Sequence, residues 1–238
     1  EWLKRRIEES VSEGQDAERD FLNKWTSGNI SSPLDQDVLE TIKNSEKDVV
    51  FTDLNKNGYI LAWYIEENAI DTELNNKPYI LGVDSSDAIG NDNIALILRS
   101  VYDGSVTMRA TINETNIIDF CLWLCEFLVK YKKVTCIIER RSTGSSIIDY
   151  LLKMLPNFEE DPYKRLFNRI VNDREEHLDE FKMASGPLFR KNIDMLVQHK
   201  KYFGFATSAS GITSRSELYG QTLKDCAKKT GHLVHDKK

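Results

Sequence analysis

Tyr79-Ile80-Leu81-Gly82-Val83-Asp84 is an apolar run that ends in a carboxylate, and Val134-Thr135-Cys136-Ile137-Ile138-Glu139 repeats the arrangement. Each reads as a β-strand whose last residue is an acid. Strands this apolar are expected to be buried on both faces, where a charge within the run would be costly unless compensated. At a strand's carboxyl end the same charge can face a crevice and hold a cation. After Asp84 comes an acidic, glycine-containing loop with Asp87, Gly90 and Asp92; after Glu139 come Arg140, Arg141 and Gly144.

The rest of the chain supplies the elements that would bring these two ends together. Asn93–Tyr102 and Ser105–Thr111 alternate as strands of a hairpin across Asp103-Gly104. Between the acids, Ile117, Phe120, Cys121, Leu124, Phe127 and Leu128 form a helical stripe over 116–130, and a second helix is expected over Ser145–Met154. Upstream, a short helix near Leu34–Ile42 precedes β segments at Asp48–Phe51 and Tyr59–Ile65, with Asn55-Lys56-Asn57-Gly58 as the turn. Downstream, Pro187–His199 reads as a helix, Tyr202–Thr207 as a strand and Ser214–Lys228 as a helix. Three strands, a helix, a strand and a helix is the opening order of a ribonuclease-H-like fold. The fold class expected is therefore α/β, a mixed sheet flanked by helices. Helix–strand alternation alone also fits a Rossmann-like sheet, so the fold reading rests partly on the acids.

Domain boundaries follow composition. Residues 1–32 are charged and helical in spacing, broken by Ser27-Gly28-Asn29 and Ser31-Ser32-Pro33, and read as an N-terminal linker or appendage. Residues 33–238 form the main domain, in which 156–186, dense in charge and weak in period, reads as an insertion or flexible arm. A chain of 238 residues can bury a full core, and 40% hydrophobic with 29% charged residues describes a soluble protein. Its apolar stretches fall well short of the ~20 residues of a membrane helix. No signal peptide is visible, and the first residue is Glu rather than Met, which suggests a fragment or processed chain. Cys121, Cys125, Cys136 and Cys226 include no Cys-x-x-Cys pair. Packing in a reduced cytosol is the reading favoured for them over metal binding.

Strand-end acids of this kind suit Mg²⁺ or Mn²⁺, which prefer carboxylate and water oxygens. Asp84 and Glu139 are the candidate primary ligands and catalytic acids, with Asp87 and Asp92 secondary. The alternatives are an acidic turn in which Asp84 caps backbone amides, and a surface Glu139 salt-bridged to Arg140 or Arg141. Two ions about 4 Å apart would activate a water and stabilise the leaving oxygen of a phosphodiester, making the chain a candidate nuclease. Arg140, Arg141, Lys200 and Lys201 are candidate DNA contacts, as are His199 and the stretch Lys164–Arg174. The net charge of −6 requires any such surface to be a local patch. His232 and His235 lack a partner at ligand spacing. No P-loop ending, no Gly-x-Ser-x-Gly elbow and no Cys–His pairing is present. A nucleotide phosphotransferase of the actin or hexokinase kind shares the strand-end Asp, but Ser85-Ser86-Asp87 is too acidic to cradle phosphates.

Taken together, these motifs resemble the nuclease domain of a tailed-bacteriophage terminase large subunit, most strongly over 79–149 and 202–238. Gly82-Val83-Asp84 with Asp87, Gly90 and Asp92 resembles that family's first acidic motif, and Ile137-Ile138-Glu139 with Gly144 its second. Gly204-Phe205-Ala206-Thr207 with Ser214-Arg215-Ser216-Glu217-Leu218 is similar to the segment before its last strand. Phe21-Leu22-Asn23-Lys24-Trp25-Thr26-Ser27-Gly28 is similar to the linker after the motor's ATPase domain.

The resemblance implies a two-metal endonuclease, using Mg²⁺ or Mn²⁺, that cuts concatemeric viral double-stranded DNA during capsid filling. It places the protein in the host cytoplasm at the viral prohead. The implied partners are the ATPase domain on the same polypeptide, the portal protein and the small terminase subunit. It further implies a third metal-binding acid on a later helix. Gly231-His232-Leu233-Val234-His235-Asp236 aligns with the strand before that helix, which puts the third acid past Lys238 and leaves Asp236 a weak substitute. An incomplete acid set opens the alternative of a catalytically weak DNA-holding or portal-docking module.

Overall fold

The computed structural model describes residues 36–85, 93–113, 115–141, 143–171, 196, 198–207 and 214–227. The chain divides into two units, Asp48–Thr213 and a second made of Glu1–Lys47 with Ser214–Lys238. The described part of the second unit consists of two helices, α1 (Gln36–Asn44) and, at the far end of the chain, Arg215–Ala227. Ser214 opens the latter by accepting the Glu217 amide on its hydroxyl at 3.2 Å, a serine N-cap with glutamate three residues on.

The larger unit is an α/β structure. Its strands are β1 (Phe51–Leu54), β2 (Ile60–Trp63), β3 (Tyr79–Asp84), β4 (Ile94–Ser100), β5 (Val106–Ile112) and β6 (Val134–Ile138). They form one six-stranded mixed sheet in the order β1-β2-β5-β4-β3-β6. Only β3 and β6 run parallel. Helices α2 (Glu67–Asn76), α3 (Ile117–Lys130) and α4 (Thr143–Met154) accompany them. The β1–β2 turn closes on Asn55, whose Oδ1 accepts the amides of Asn57 and Tyr59 at 2.9 and 3.0 Å. Gly58 takes φ +81° there, a conformation costly for a residue with a Cβ. Asn116 caps α3 by accepting the Ile118 amide at 2.8 Å.

The hydrophobic core lies on one face of the sheet. Leu81, Val83, Leu96, Leu98, Met108, Cys136 and Ile138 join Phe120, Leu124, Leu128, Ile147 and Leu151 of α3 and α4 in one buried cluster. The opposite face is open at several positions: Ile80 is 38%, Ile97 47% and Ile60 57% exposed. The expectation of strands buried on both faces is therefore corrected. β3 alternates buried and more exposed positions because the described helices cover only one side of it.

Two further differences from the sequence reading concern the edge beside β6. Residues 156–171, expected to be part of a flexible arm or insertion, pack against the core. A 3₁₀ turn (Leu155–Phe158) and the short helix α5 (Pro162–Arg165) lead to Leu166, which bridges Cys136 in parallel. Tyr163, Leu166 and Ile170 are buried. Residues 172–186 lie outside the described residues. The strand expected at Tyr202–Thr207 is reduced to two bridges, Phe203 to Asn168 and Phe205 to Glu139, after a 3₁₀ turn (Lys200–Tyr202). The edge is thus composite: the Phe167 amide donates to the Cys136 carbonyl and the Phe205 amide to the Ile138 carbonyl, both at 2.8 Å. Buried Asn168 holds the bend, its amide nitrogen donating to the carbonyls of Tyr163 and Leu166 at 2.9 Å.

Candidate active site at two strand ends

Asp84 closes β3 and Glu139 follows the last residue of β6. The parallel register pairs Gly82 with Ile137 and Val83 with Ile138. The Glu139 amide continues the ladder by donating to the Val83 carbonyl at 3.1 Å. The two acids therefore leave neighbouring parallel strands at the same level, where backbones run about 4.8 Å apart. Val83 and Ile138 face the core, so by alternation Asp84 and Glu139 belong to the other, open face. Asp84 is exposed and Glu139 half-buried.

Neither carboxylate has an ion-pair partner among the described residues. Glu139 is not bridged to its neighbouring arginines. It accepts one hydrogen bond, from the Thr207 hydroxyl to Oε1 at 2.8 Å. The Arg140 guanidinium instead donates to the Lys201 carbonyl, tying β6 to the segment that carries Thr207.

Gly144 explains how the start of α4 reaches this strand end. A Cβ on Gly144 would stand 1.8 Å from the Glu139 carbonyl oxygen and 2.8 Å from Ser85 Oγ. Ser85 itself is buried at 3% exposure. The Gly144 amide donates to the Arg141 carbonyl at 2.9 Å, and the Ser145 hydroxyl donates to the Arg140 carbonyl at 2.8 Å. Helix and strand end are thus pressed together with no room for a methyl group. Gly144→Ala is expected to destabilise the fold by about 1–3 kcal/mol, the usual range for overpacking against backbone. Thermal melting measures it, and an unchanged midpoint would show that the junction relaxes freely.

The basic candidates separate into two groups. Arg140 and Lys200 are engaged by the chain itself, Lys200 in an ion pair with Asp149 on α4. Arg141 and Lys201 are exposed, with the Lys201 ammonium 5.0 Å from the centre of the Tyr202 ring. His199 shares a 2.7 Å hydrogen bond with the Tyr163 hydroxyl, and burial pulls its pKa below the usual value. Within Lys164–Arg174, Arg165 is corrected from a surface contact to a buried residue, 7% exposed, with its guanidinium turned to the end of α3. Asp87, Asp92, Arg174, His232, His235 and Asp236 lie outside the described residues.

Cys121, Cys125 and Cys136 are reduced and buried. Burial pushes the thiols of Cys121 and Cys125 up to about 12 and raises Cys136 as well, so they pack rather than react. The Cys226 side chain is outside the described residues.

Among the described residues no group of three or more His, Cys, Asp or Glu side chains is placed to hold a metal ion. The pair Asp84 and Glu139 nevertheless has the right chemistry for a hard divalent cation: two anionic oxygen donors, adjacent, on an open face and without a counter-charge among the described residues. Thr207 and Gly204 are absent from the sequence reading of the site. Nothing in Phe205-Ala206-Thr207 marks a hydroxyl that meets a glutamate far away in the chain. No protein-family model matches this chain, and no curated protein matches it.

Proposed function

We propose that the Asp48–Thr213 unit is a ribonuclease-H-like nuclease domain that hydrolyses phosphodiester bonds of double-stranded DNA with Mg²⁺ or Mn²⁺. The observation that carries the reading is the pair of carboxylates, Asp84 and Glu139, at the same level on neighbouring parallel strands and without an ion-pair partner among the described residues. The sheet supports it: β5, β4 and β3 form an antiparallel meander, and β6 lies parallel beside β3 after helix α3. The motif resemblance extends the reading to the nuclease part of a phage terminase large subunit, acting on concatemeric DNA with the motor's ATPase domain, portal protein and small subunit as partners.

In this reading Asp84 and Glu139 hold the cation, and Thr207 keeps one Glu139 oxygen occupied. Magnesium or manganese, when bound, would supply Lewis-acid activation of water and stabilisation of the leaving oxygen. Exposed Arg141, two residues from Glu139, offers a positive charge for a DNA phosphate, as does Lys201. Arg140 and Lys200 act instead by holding the segment that carries Thr207 in place.

The second reading, a DNA-holding or docking module with little cleavage, is favoured by one observation: only two acids meet at the site among the described residues. Two carboxylates hold a hydrated Mg²⁺ weakly. Incubation of the 238-residue chain with supercoiled plasmid separates the two. Nicking that is abolished by EDTA and stronger with Mn²⁺ than with Mg²⁺ is expected. Retention of DNA without nicking in either metal would favour the holding module.

A further inference from the structure

We propose that Thr207 is a positioning residue for Glu139, one that fixes this carboxylate's rotation, disfavours its bidentate use and so tunes the site toward small divalent cations. The inference rests on the metal-site reading above and deepens it.

The contact is built by the composite edge. The Phe205 amide donates to the Ile138 carbonyl at 2.8 Å, and the Arg140 amide donates back to the Phe205 carbonyl at 2.7 Å. These two bonds straddle Glu139, so the chain leaving Phe205 is fixed beside the glutamate. Ala206 follows, and Thr207 then reaches Glu139 Oε1. Gly204 makes the close approach possible. It sits at φ +75°, and a Cβ there would stand 2.6 Å from Ile148 Cδ1, 2.8 Å from the Ile138 carbonyl oxygen and 2.9 Å from Arg140 Cγ. The Arg140 guanidinium on the Lys201 carbonyl ties the same segment from its other end. A hydroxyl two residues past a segment anchored at both ends is a positioned donor, and such a donor sets the rotation of the carboxylate it binds.

With Oε1 engaged by Thr207, Glu139 offers Oε2 as the oxygen that has no hydrogen-bond donor among the described residues. Coordination through one carboxylate oxygen suits Mg²⁺ and Mn²⁺, which take small shells completed by water. Ca²⁺ accepts bidentate carboxylates and larger, irregular shells. Partners that orient a metal-binding side chain commonly set affinity by 10–100-fold.

The test is Mn²⁺ binding to the 238-residue chain, read as loss of the free-ion signal in electron paramagnetic resonance, without DNA or turnover. Ca²⁺ competes in parallel titrations. Thr207→Val keeps the shape and removes the donor; Thr207→Ser keeps the donor. The valine variant is expected to weaken Mn²⁺ binding about 10-fold or more and to raise the relative competitiveness of Ca²⁺. The serine variant is expected to stay within about threefold of the parent, as a retained hydroxyl requires. Should the valine variant melt early, Thr207→Ala replaces it, since alanine puts no methyl group where the hydroxyl sat. Asp84→Asn separates the two levels of the argument. If the parent binds no Mn²⁺, or Asp84→Asn binds it as the parent does, the metal-site reading fails. If Asp84→Asn loses binding while Thr207→Val and Thr207→Ala match the parent, the site stands and Thr207 has no part in it. Equal weakening by serine and valine would also overturn the proposal, because the hydroxyl would not be the operative group.

Discussion

Asp84→Asn and Glu139→Gln are each expected to lower Mn²⁺-dependent plasmid nicking by at least about 100-fold, the effect of losing several kcal/mol of charge stabilisation at about 1.4 kcal/mol per tenfold. Both substitutions keep side-chain size and remove one negative charge. Neither breaks an ion pair among the described residues, so neither carries the penalty of an orphaned partner. Asp84 is exposed, and its replacement is expected to leave the melting midpoint within a degree or two, as for most surface substitutions. Glu139→Gln retains an oxygen able to accept from Thr207, so its fold should also persist. Gel-resolved nicking alongside thermal melting distinguishes the outcomes. Full nicking by either variant would remove that acid from the metal site. Lost nicking with a collapsed melting transition would assign it to folding instead.

The parts of the fold that were legible in the sequence are those whose signal is local. β3 and β6 are short apolar runs with an acid after each, and α3 carries its apolar residues at helical spacing with Asn116 at the cap position. The hairpin at Asp103-Gly104 and the turn at Asn55–Gly58 declare themselves by residue type. α2 is silent for a physical reason. Ile70 and Leu74 are its buried contribution, too narrow a stripe to stand out among Glu, Asp and Asn. The composite edge beside β6 is silent for another. Its pairings join Cys136 to Leu166, Asn168 to Phe203 and Glu139 to Phe205, one or two residues at a time. No run of that length has a period to detect.

The site divides along the same line. That Asp84 and Glu139 end strands follows from the runs before them. That the strands are neighbours follows from the parallel pairing, which a single sequence does not encode at any one position. Charge was the least informative guide. Four basic residues read alike as DNA contacts, yet Arg140 and Lys200 are spent on the Lys201 carbonyl and Asp149. What separates Arg140 from Arg141 is which way the backbone of one turn presents each side chain, and composition carries none of that.

Arg165 is the extreme case, and its removal is expected to destabilise the larger unit by about 3–5 kcal/mol, the range seen when one partner of a buried ion pair is removed. The residue sits in Lys164-Arg165, inside a stretch read from sequence as solvated, yet its side chain is 9% exposed. Its guanidinium donates to the carbonyls of Leu128, Tyr131 and Lys132, at and just past the end of α3. Glu160 Oε2 stands 3.7 Å from Nε, an ionic contact too long for a hydrogen bond. A helix's last carbonyls lack partners within the helix and carry partial negative charge, so a buried cation there satisfies both needs at once. Deleting it takes a donor from the carbonyls of Leu128 and Lys132 beside a carboxylate, while the Tyr131 carbonyl keeps the Val134 amide at 3.0 Å. α3 in turn contributes Phe120, Leu124 and Leu128 to the core beneath β3 and β6. Arg165→Met, which keeps the aliphatic stem, is expected to lower the melting midpoint by about 6–20 °C for a unit of this size. Arg165→Lys is expected to recover little, because one ammonium cannot reproduce a planar fork across three acceptors. Exposed Arg141→Met serves as the control and should stay within about 0.5 kcal/mol of the parent. Circular dichroism melts of the three variants decide it: a Met variant that melts with the parent would mean that water or neighbouring amides satisfy the end of α3 without the guanidinium.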